Sequence, residues 1–186
     1  MEILYGGTFN PPTIAHYQIA HYILNHFKDS RITFLPTFNL YAKNGIVDAK
    51  HRISMLKLLV EKLGDNAYIS DYEIKLEKYH GTFNTIQHFN NPYYLVGADN
   101  FVTLHTWLNY EELTKCKFII IPRNKIDINE YINSRVELIN NKNNYIYIKD
   151  FKEIDVSSSE FRLNKNFKMI NNEVKNYIKK EGLYVK

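Results

Sequence analysis

His16 closes the stretch Gly6-Gly7-Thr8-Phe9-Asn10-Pro11-Pro12-Thr13-Ile14-Ala15-His16. The glycines let a backbone approach a ligand without a Cβ in the way. A helix beginning near Thr13 points its free N–H groups and its dipole into the same space, which suits an anion. His16, in the first turn, reaches a phosphate held there, and Thr13 adds a hydroxyl. An ordinary strand-to-helix turn with Thr13 as its cap would be spelled the same way. The stretch matches neither the P-loop nor the dinucleotide glycine pattern. A second group is Ser157, Ser158 and Ser159, set before a short helical pattern that contains Arg162. Hydroxyls and free N–H groups at a helix start again suit phosphate, and a guanidinium can fork onto two of its oxygens. By itself a serine run is equally a loop or a cap. Asp99 follows Val96-Gly97 at the end of an apolar run. There it accepts from ribose hydroxyls, caps the next helix, or does both. Lys43 sits in a polar loop, where it either reaches a triphosphate or is solvated.

Other chemistries find less support. The spacing of His16, His21 and His26 does not put them on one helix face. No Cys/His spacing indicates zinc. His51, His80, His88 and His105 read as surface or packing residues. No serine or cysteine is paired with an activating base, so any group transfer is expected to be direct.

The elements that must position these residues alternate. Ile3-Leu4-Tyr5, Ile32-Thr33-Phe34-Leu35, Ala67-Tyr68-Ile69, Tyr93-Tyr94-Leu95-Val96, Phe118-Ile119-Ile120-Ile121 and a segment near 145–148 read as strands. Helical spacing links Ala20, Ile23, Leu24 and Phe27, and then Leu56, Leu59, Val60 and Leu63 up to a stop at Gly64. Further helices are predicted over 82–89, near 129–139, from Ser157 to Arg162, and through Val174, Tyr177 and Ile178 with a stop at Gly182. Continuous apolar strands separated by helices predict one doubly wound α/β domain over residues 1–186. Its Rossmann-like sheet is mostly parallel, and a small helical part begins at about 157. Such folds bind ligands beyond the carboxyl ends of the strands. The loops at 6–16, 36–47, 97–107, 122–125 and 155–162 are expected there.

Composition sets the outer limits. The 186 residues suffice for one domain with a sizeable core. A net charge of +4 is modest and comes without a polybasic run, so small phosphates fit and a nucleic-acid groove does not. The single cysteine, Cys116, rules out an internal disulfide and fits a reducing cytoplasm. No apolar stretch is long enough for a membrane span, and the start does not read as a signal peptide. Oligomeric state stays open, with a homo-oligomer among the options.

GGTFNPPTIAH resembles the GGTFDPxHxGH opening of nucleotidyltransferases that carry an [HT]xGH signature. Val156-Ser157-Ser158-Ser159-Glu160-Phe161-Arg162 is similar to their late ISSTxIR. The segment LVGADNFVTLHTWLNYEEL looks like the GxDxxxxLxxW segment of bacterial nicotinate-nucleotide adenylyltransferases. KHRISMLKL, HGTFNTI and the closing YIKKEGLY resemble that family too, so the similarity covers nearly the whole chain.

The resemblance implies ATP and nicotinate mononucleotide as substrates, and Mg2+ held mainly by ATP phosphates and water. It implies that Gly7, Thr8 and Phe9 offer donors to phosphates and that His16 stabilises the transition state with Thr13 and Arg162. Trp107 would stack on the pyridine ring with Leu108 beside it, although a lone Trp is more often core. Thr82 would contact the nicotinate part, and Arg123 the mononucleotide phosphate. Five positions depart from the family spelling. Thr13 replaces its usual His, Ala15 its usual Gly and Asn10 its usual Asp, while Thr37 and Phe38 stand where many members have Asn-Asn. Thr13 leans toward the related phosphopantetheine adenylyltransferases, whereas the segment from Asp99 to Trp107 and the Gly-Leu-Tyr ending lean toward nicotinate. A nucleotide-binding module without turnover is the alternative of another class.

Overall fold

The computed structural model describes residues 1–38 and 45–185. In chain order the elements are β1 (Glu2–Gly7), α1 (Ile14–His26), β2 (Arg31–Pro36), α2 (Ala49–Leu63), β3 (Ala67–Ile69), α3 (Tyr72–Lys75), α4 (Thr82–His88) and β4 (Tyr93–Gly97). There follow α5 (Ala98–Phe101), α6 (Tyr110–Leu113), β5 (Lys117–Ile121), α7 (Ile128–Asn133), α8 (Val136–Ile139), β6 (Tyr145–Tyr147), α9 (Ser158–Asn164) and α10 (Asn172–Lys180). The strands form a six-stranded sheet in the order β3-β2-β1-β4-β5-β6. The ladders are parallel, with Ile3 opposite Tyr93, Ile32 opposite Ala67, Leu95 opposite Ile119 and Ile119 opposite Ile146. This is the doubly wound α/β order expected of strands that read as unbroken apolar runs.

The chain divides into two compact units. The first comprises Met1–Tyr5 and Lys78–Glu153. Its core gathers Leu4, Ile86, Tyr94, Val96, Phe101, Leu113, Phe118 and Ile120. Phe101 meets Phe118 and Tyr145 edge-on, with ring centroids 5.5 and 5.3 Å apart, the arrangement that aromatic quadrupoles favour. The second comprises Gly6–Glu77 and Ile154–Lys186. There Met55 of α2 is buried with Phe161 of α9, Met169, Ile170, and Val174 and Ile178 of α10. Full burial of each such side chain is worth about 1.5–3 kcal/mol. At the rim, Lys62 and Glu173 form a half-exposed ion pair at 2.8 Å.

Three expectations change. β1 runs through both glycines, so the turn occupies residues 8–13 rather than starting at residue 6. The helix expected near 129–139 is two helices, because Arg135 is extended (φ −134°) and interrupts the helical backbone. The four-residue helices α3, α5 and α6 have no counterpart in the predicted pattern; one helical turn is too short to show a period.

Candidate active site

The first cluster lies in the second unit, around the turn after β1. Phe9 is a buried non-glycine residue with positive φ (47°). Its ring folds back so closely that a Cβ on Gly7 would lie 3.1 Å from the ring tip. Gly7 therefore admits the Phe9 ring, a packing role that its sequence did not announce. That ring also meets His16 edge-on, with centroids 5.0 Å apart. Thr13 caps α1 in extended conformation. Its main-chain N–H donates to His16 Nδ1 at 2.9 Å, and its hydroxyl lies 2.8 Å from the same nitrogen. Nδ1 is thus an acceptor, and a neutral His16 ring carries its proton on Nε2. Thr13 itself is 1% exposed. Its hydroxyl lies against His16, so Thr13 orients the imidazole. Ala15 is buried as well.

The late serine stretch joins this turn. Ser158 Oγ donates to Pro11 O at 2.8 Å, and Arg162 donates to Asn10 O at 2.8 Å and to Ser159 Oγ at 3.1 Å. Ser157 caps α9 by accepting from Glu160 N at 3.1 Å. The capping role of Ser157 and the positioning of Arg162 therefore coexist in one short segment. Two of the five N–H donors of Arg162 are committed to protein, which fixes the plane of the guanidinium. Lys43 lies outside the described residues.

The second cluster lies in the first unit. Asp99 is the second residue of α5; Gly97 is the cap, and no side-chain cap bond is made. This overturns the capping option for Asp99 and leaves its half-buried carboxylate for another use. A Cβ on Gly97 would lie 2.5 Å from Asp99 Oδ1 and 3.8 Å from Arg123 Cβ. The bare glycine thus lets the Asp99 carboxylate approach the end of β4, with Arg123 at ordinary contact distance. Both also act on the buried Tyr5 phenol: burial raises its pKa most, Arg123 opposes that rise and Asp99 adds to it. Thr82 is buried, with its hydroxyl 3.0 Å from Tyr79 Oη. Leu108 Cβ would be 2.9 Å from a Cβ on Gly81, the residue before Thr82, while Leu108 remains 58% exposed. Trp107 is half-buried, packed at the border of the core rather than within it.

Residues 4–164 match the Cytidylyltransferase-like family. A protein of Acholeplasma laidlawii, described as a probable nicotinate-nucleotide adenylyltransferase, is 35% identical over 99% of this chain and 97% of its own. A Clostridium tetani protein of the same description is 31% identical over 98% of each. The chain belongs to the nicotinate-nucleotide adenylyltransferase family. Its fold also matches a Plasmodium falciparum nicotinic acid mononucleotide adenylyltransferase solved in complex with NaAD. That match has a TM-score of 0.80 at 23% identity, covering 98% of this chain and 96% of the other.

Members of this adenylyltransferase family are nucleotidyltransferases, and four residues of the chain bear on its two clusters without having been singled out as site residues. Asn10, fully buried, bonds to Gly45, Val47 and Tyr184 through its side chain. Arg52, also buried, donates to Thr8 O and Thr37 O at 3.1 Å each; burial lowers its pKa against the pull of Tyr184 and Asp48. Glu153 accepts from Asn124 N at 2.6 Å and Lys125 N at 3.4 Å, which holds the turn that starts at Arg123. Tyr184 completes the four. Asn10 carried a sequence signal as a departure from the family spelling, Arg52 and Tyr184 lay within stretches that resemble the family, and Glu153 carried none. His21, His51 and His105 bond to Asn25, Tyr177 and Val102 O and take no part. Among the described residues, no group of three or more His, Cys, Asp or Glu is placed to hold a metal, and no helix is long and apolar enough to cross a membrane.

Proposed function

We propose that the two clusters serve the two halves of one reaction. The phosphate of nicotinate mononucleotide attacks the α-phosphorus of ATP, pyrophosphate leaves, and nicotinate adenine dinucleotide forms. The bond between the α- and β-phosphates breaks as the new one forms, with no covalent enzyme intermediate. Both reactants are anions, so the protein's work is alignment and offset of negative charge. In this reading His16 presents its Nε2 proton to the phosphates, Thr13 keeps the ring in that tautomer, and Arg162 adds a fixed charge. Main-chain groups of Gly7, Thr8 and Phe9, the hydroxyls of Ser157–Ser159, and Lys43 complete the ATP set. Asp99 is assigned to ATP too, accepting from its ribose hydroxyls. Trp107, Leu108 and Thr82 receive the pyridine ring, and Arg123 the mononucleotide phosphate.

One observation carries the reading. The two stretches that resemble the family's signatures are hydrogen-bonded to each other, Ser158 to Pro11 and Arg162 to Asn10. Far separated in sequence, they form one phosphate-handling surface. Magnesium, which neutralises polyphosphate charge when bound, is assigned to the nucleotide, because phosphate and water supply the oxygen ligands it takes. Small nucleotides rather than nucleic acid are the partners, and the lone cysteine fits a reducing cytoplasm. The test is pyrophosphate release from ATP and magnesium with nicotinate mononucleotide, nicotinamide mononucleotide or phosphopantetheine. The nicotinate compound should be used fastest. Preference for phosphopantetheine would overturn the acceptor, and release with none would leave a nucleotide-binding module.

A further inference from the structure

Asn10 links four stretches of the second unit. Its Nδ2 donates to Gly45 O at 3.0 Å, and its Oδ1 accepts from Val47 N at 3.2 Å and from Tyr184 Oη at 2.6 Å. The two donors at Oδ1 and the carbonyl at Nδ2 fix which way the amide points. The main-chain carbonyl of the same residue receives Arg162 at 2.8 Å. Tyr184 is thus one residue away from a cation assigned to ATP, with Asn10 between them.

Tyr184 is held in place from several sides. Its ring stands edge-on to Phe161 of α9 at 5.6 Å, and the Lys165 ammonium lies 5.7 Å from the ring centroid. The backbone before it is tied back by Leu183 N to Ile178 O at 3.0 Å. Tyr184 itself has positive φ (61°), a conformation that a bulky side chain adopts only where its surroundings demand it. Burial raises the phenol pKa, an effect Arg162 and Arg52 oppose, and the net direction is upward. The hydroxyl therefore keeps its proton and remains a donor to Asn10 at neutral pH.

We propose that Tyr184 is a positioning residue for the ATP phosphates: its hydroxyl fixes Asn10, and the Asn10 carbonyl sets the Arg162 guanidinium. This rests on the assignment of Arg162 to ATP made above. Without the hydroxyl, Asn10 keeps only its bonds to Gly45 and Val47, and its carbonyl holds the plane of the guanidinium less firmly. The acceptor mononucleotide is not touched by this chain of contacts.

The test is a double-mutant cycle with Tyr184→Phe and Arg162→Lys, read by calorimetric binding of α,β-methylene-ATP and by steady-state kinetics. Tyr184→Phe keeps the ring and its packing. It should weaken binding of the analogue about tenfold, the scale of one lost buried hydrogen bond. The KM for nicotinate mononucleotide should stay unchanged. In the Arg162→Lys background the same substitution should cost under about twofold, because the group it positions is gone. Equal costs in both backgrounds, or no cost in either, would overturn the positioning role. So would an equal rise in both KM values, which marks general loosening. Coupling in analogue binding without turnover of nicotinate mononucleotide would overturn the acceptor assignment and leave Tyr184 in its role. Turnover without coupling would do the reverse.

Discussion

The two clusters are built differently. The one around His16 is assembled from remote stretches: Asn10 with Gly45, Val47 and Tyr184, Pro11 with Ser158, Thr8 with Arg52. Asn10, Thr13 and Arg52 are buried there and make their bonds before any ligand arrives. The one around Trp107 draws on nearer neighbours. Thr82 meets Tyr79, Leu108 lies against Gly81, and Asp99 crowds Gly97. Its aromatic face is half exposed at the border of a hydrophobic core. On the assignment proposed above, the difference follows from the task. Charge that develops during a reaction must meet dipoles already in place, since reorienting them costs most of their benefit. A flat ring needs a flat apolar surface, which a core edge provides.

Substitutions can break this contrast. The largest effect is expected of His16→Ala, which should lower kcat about 10²–10³-fold with little change in either KM. Pyrophosphate release under saturating substrates measures it, and near wild-type turnover would remove His16 from the chemistry. Asn10→Ala should come next. It removes three side-chain hydrogen bonds of a buried residue, at about 1 kcal/mol each, and leaves partners unsatisfied. Urea unfolding should show a loss of about 3 kcal/mol, far above what a loosely built cluster would register. Trp107→Ala should raise the KM for the mononucleotide about tenfold and leave that for ATP alone. Equal effects on both would mean that Trp107 serves only as core.

The smallest effect concerns the thiol of Cys116, in the core of the first unit. Burial pushes Cys116 up to about 11, with Glu112 adding to the rise. The thiolate fraction at pH 8 is then lower by roughly 100-fold than for an unperturbed cysteine. Modification by a disulfide reagent should be slow in the native protein, quicken as the pH approaches 11, and become fast in urea. Fast reaction under native conditions would show that this region opens readily.

Much of the fold was readable because strands buried on both faces leave unbroken apolar runs. Phe118-Ile119-Ile120-Ile121 could scarcely be anything else, and β3 falls where Ala67-Tyr68-Ile69 put it. The break at Arg135 was hidden, since the apolar spacing continues across it. In the site, Thr13 and His16 were visible as a helix start, but their mutual bond was not. Likewise, nothing local distinguishes Gly7 admitting the Phe9 ring from Gly7 admitting a ligand. Asn10 and Tyr184 meet only through the tertiary fold, and no periodicity or cap signal reports such a pair.

The strand order also bears on how the chain is made. β1 precedes β4 by a long stretch of chain, yet the two lie side by side in the sheet, and Ile3 pairs with Tyr93 of β4. At ribosomal rates of about 5–20 residues per second, Ile3-Leu4-Tyr5 waits roughly 5–20 s for that partner to be made. Throughout that interval an apolar strand lacks its β4 neighbour. In a living cell, an apolar strand that waits for its partner is the kind of segment that chaperones shield.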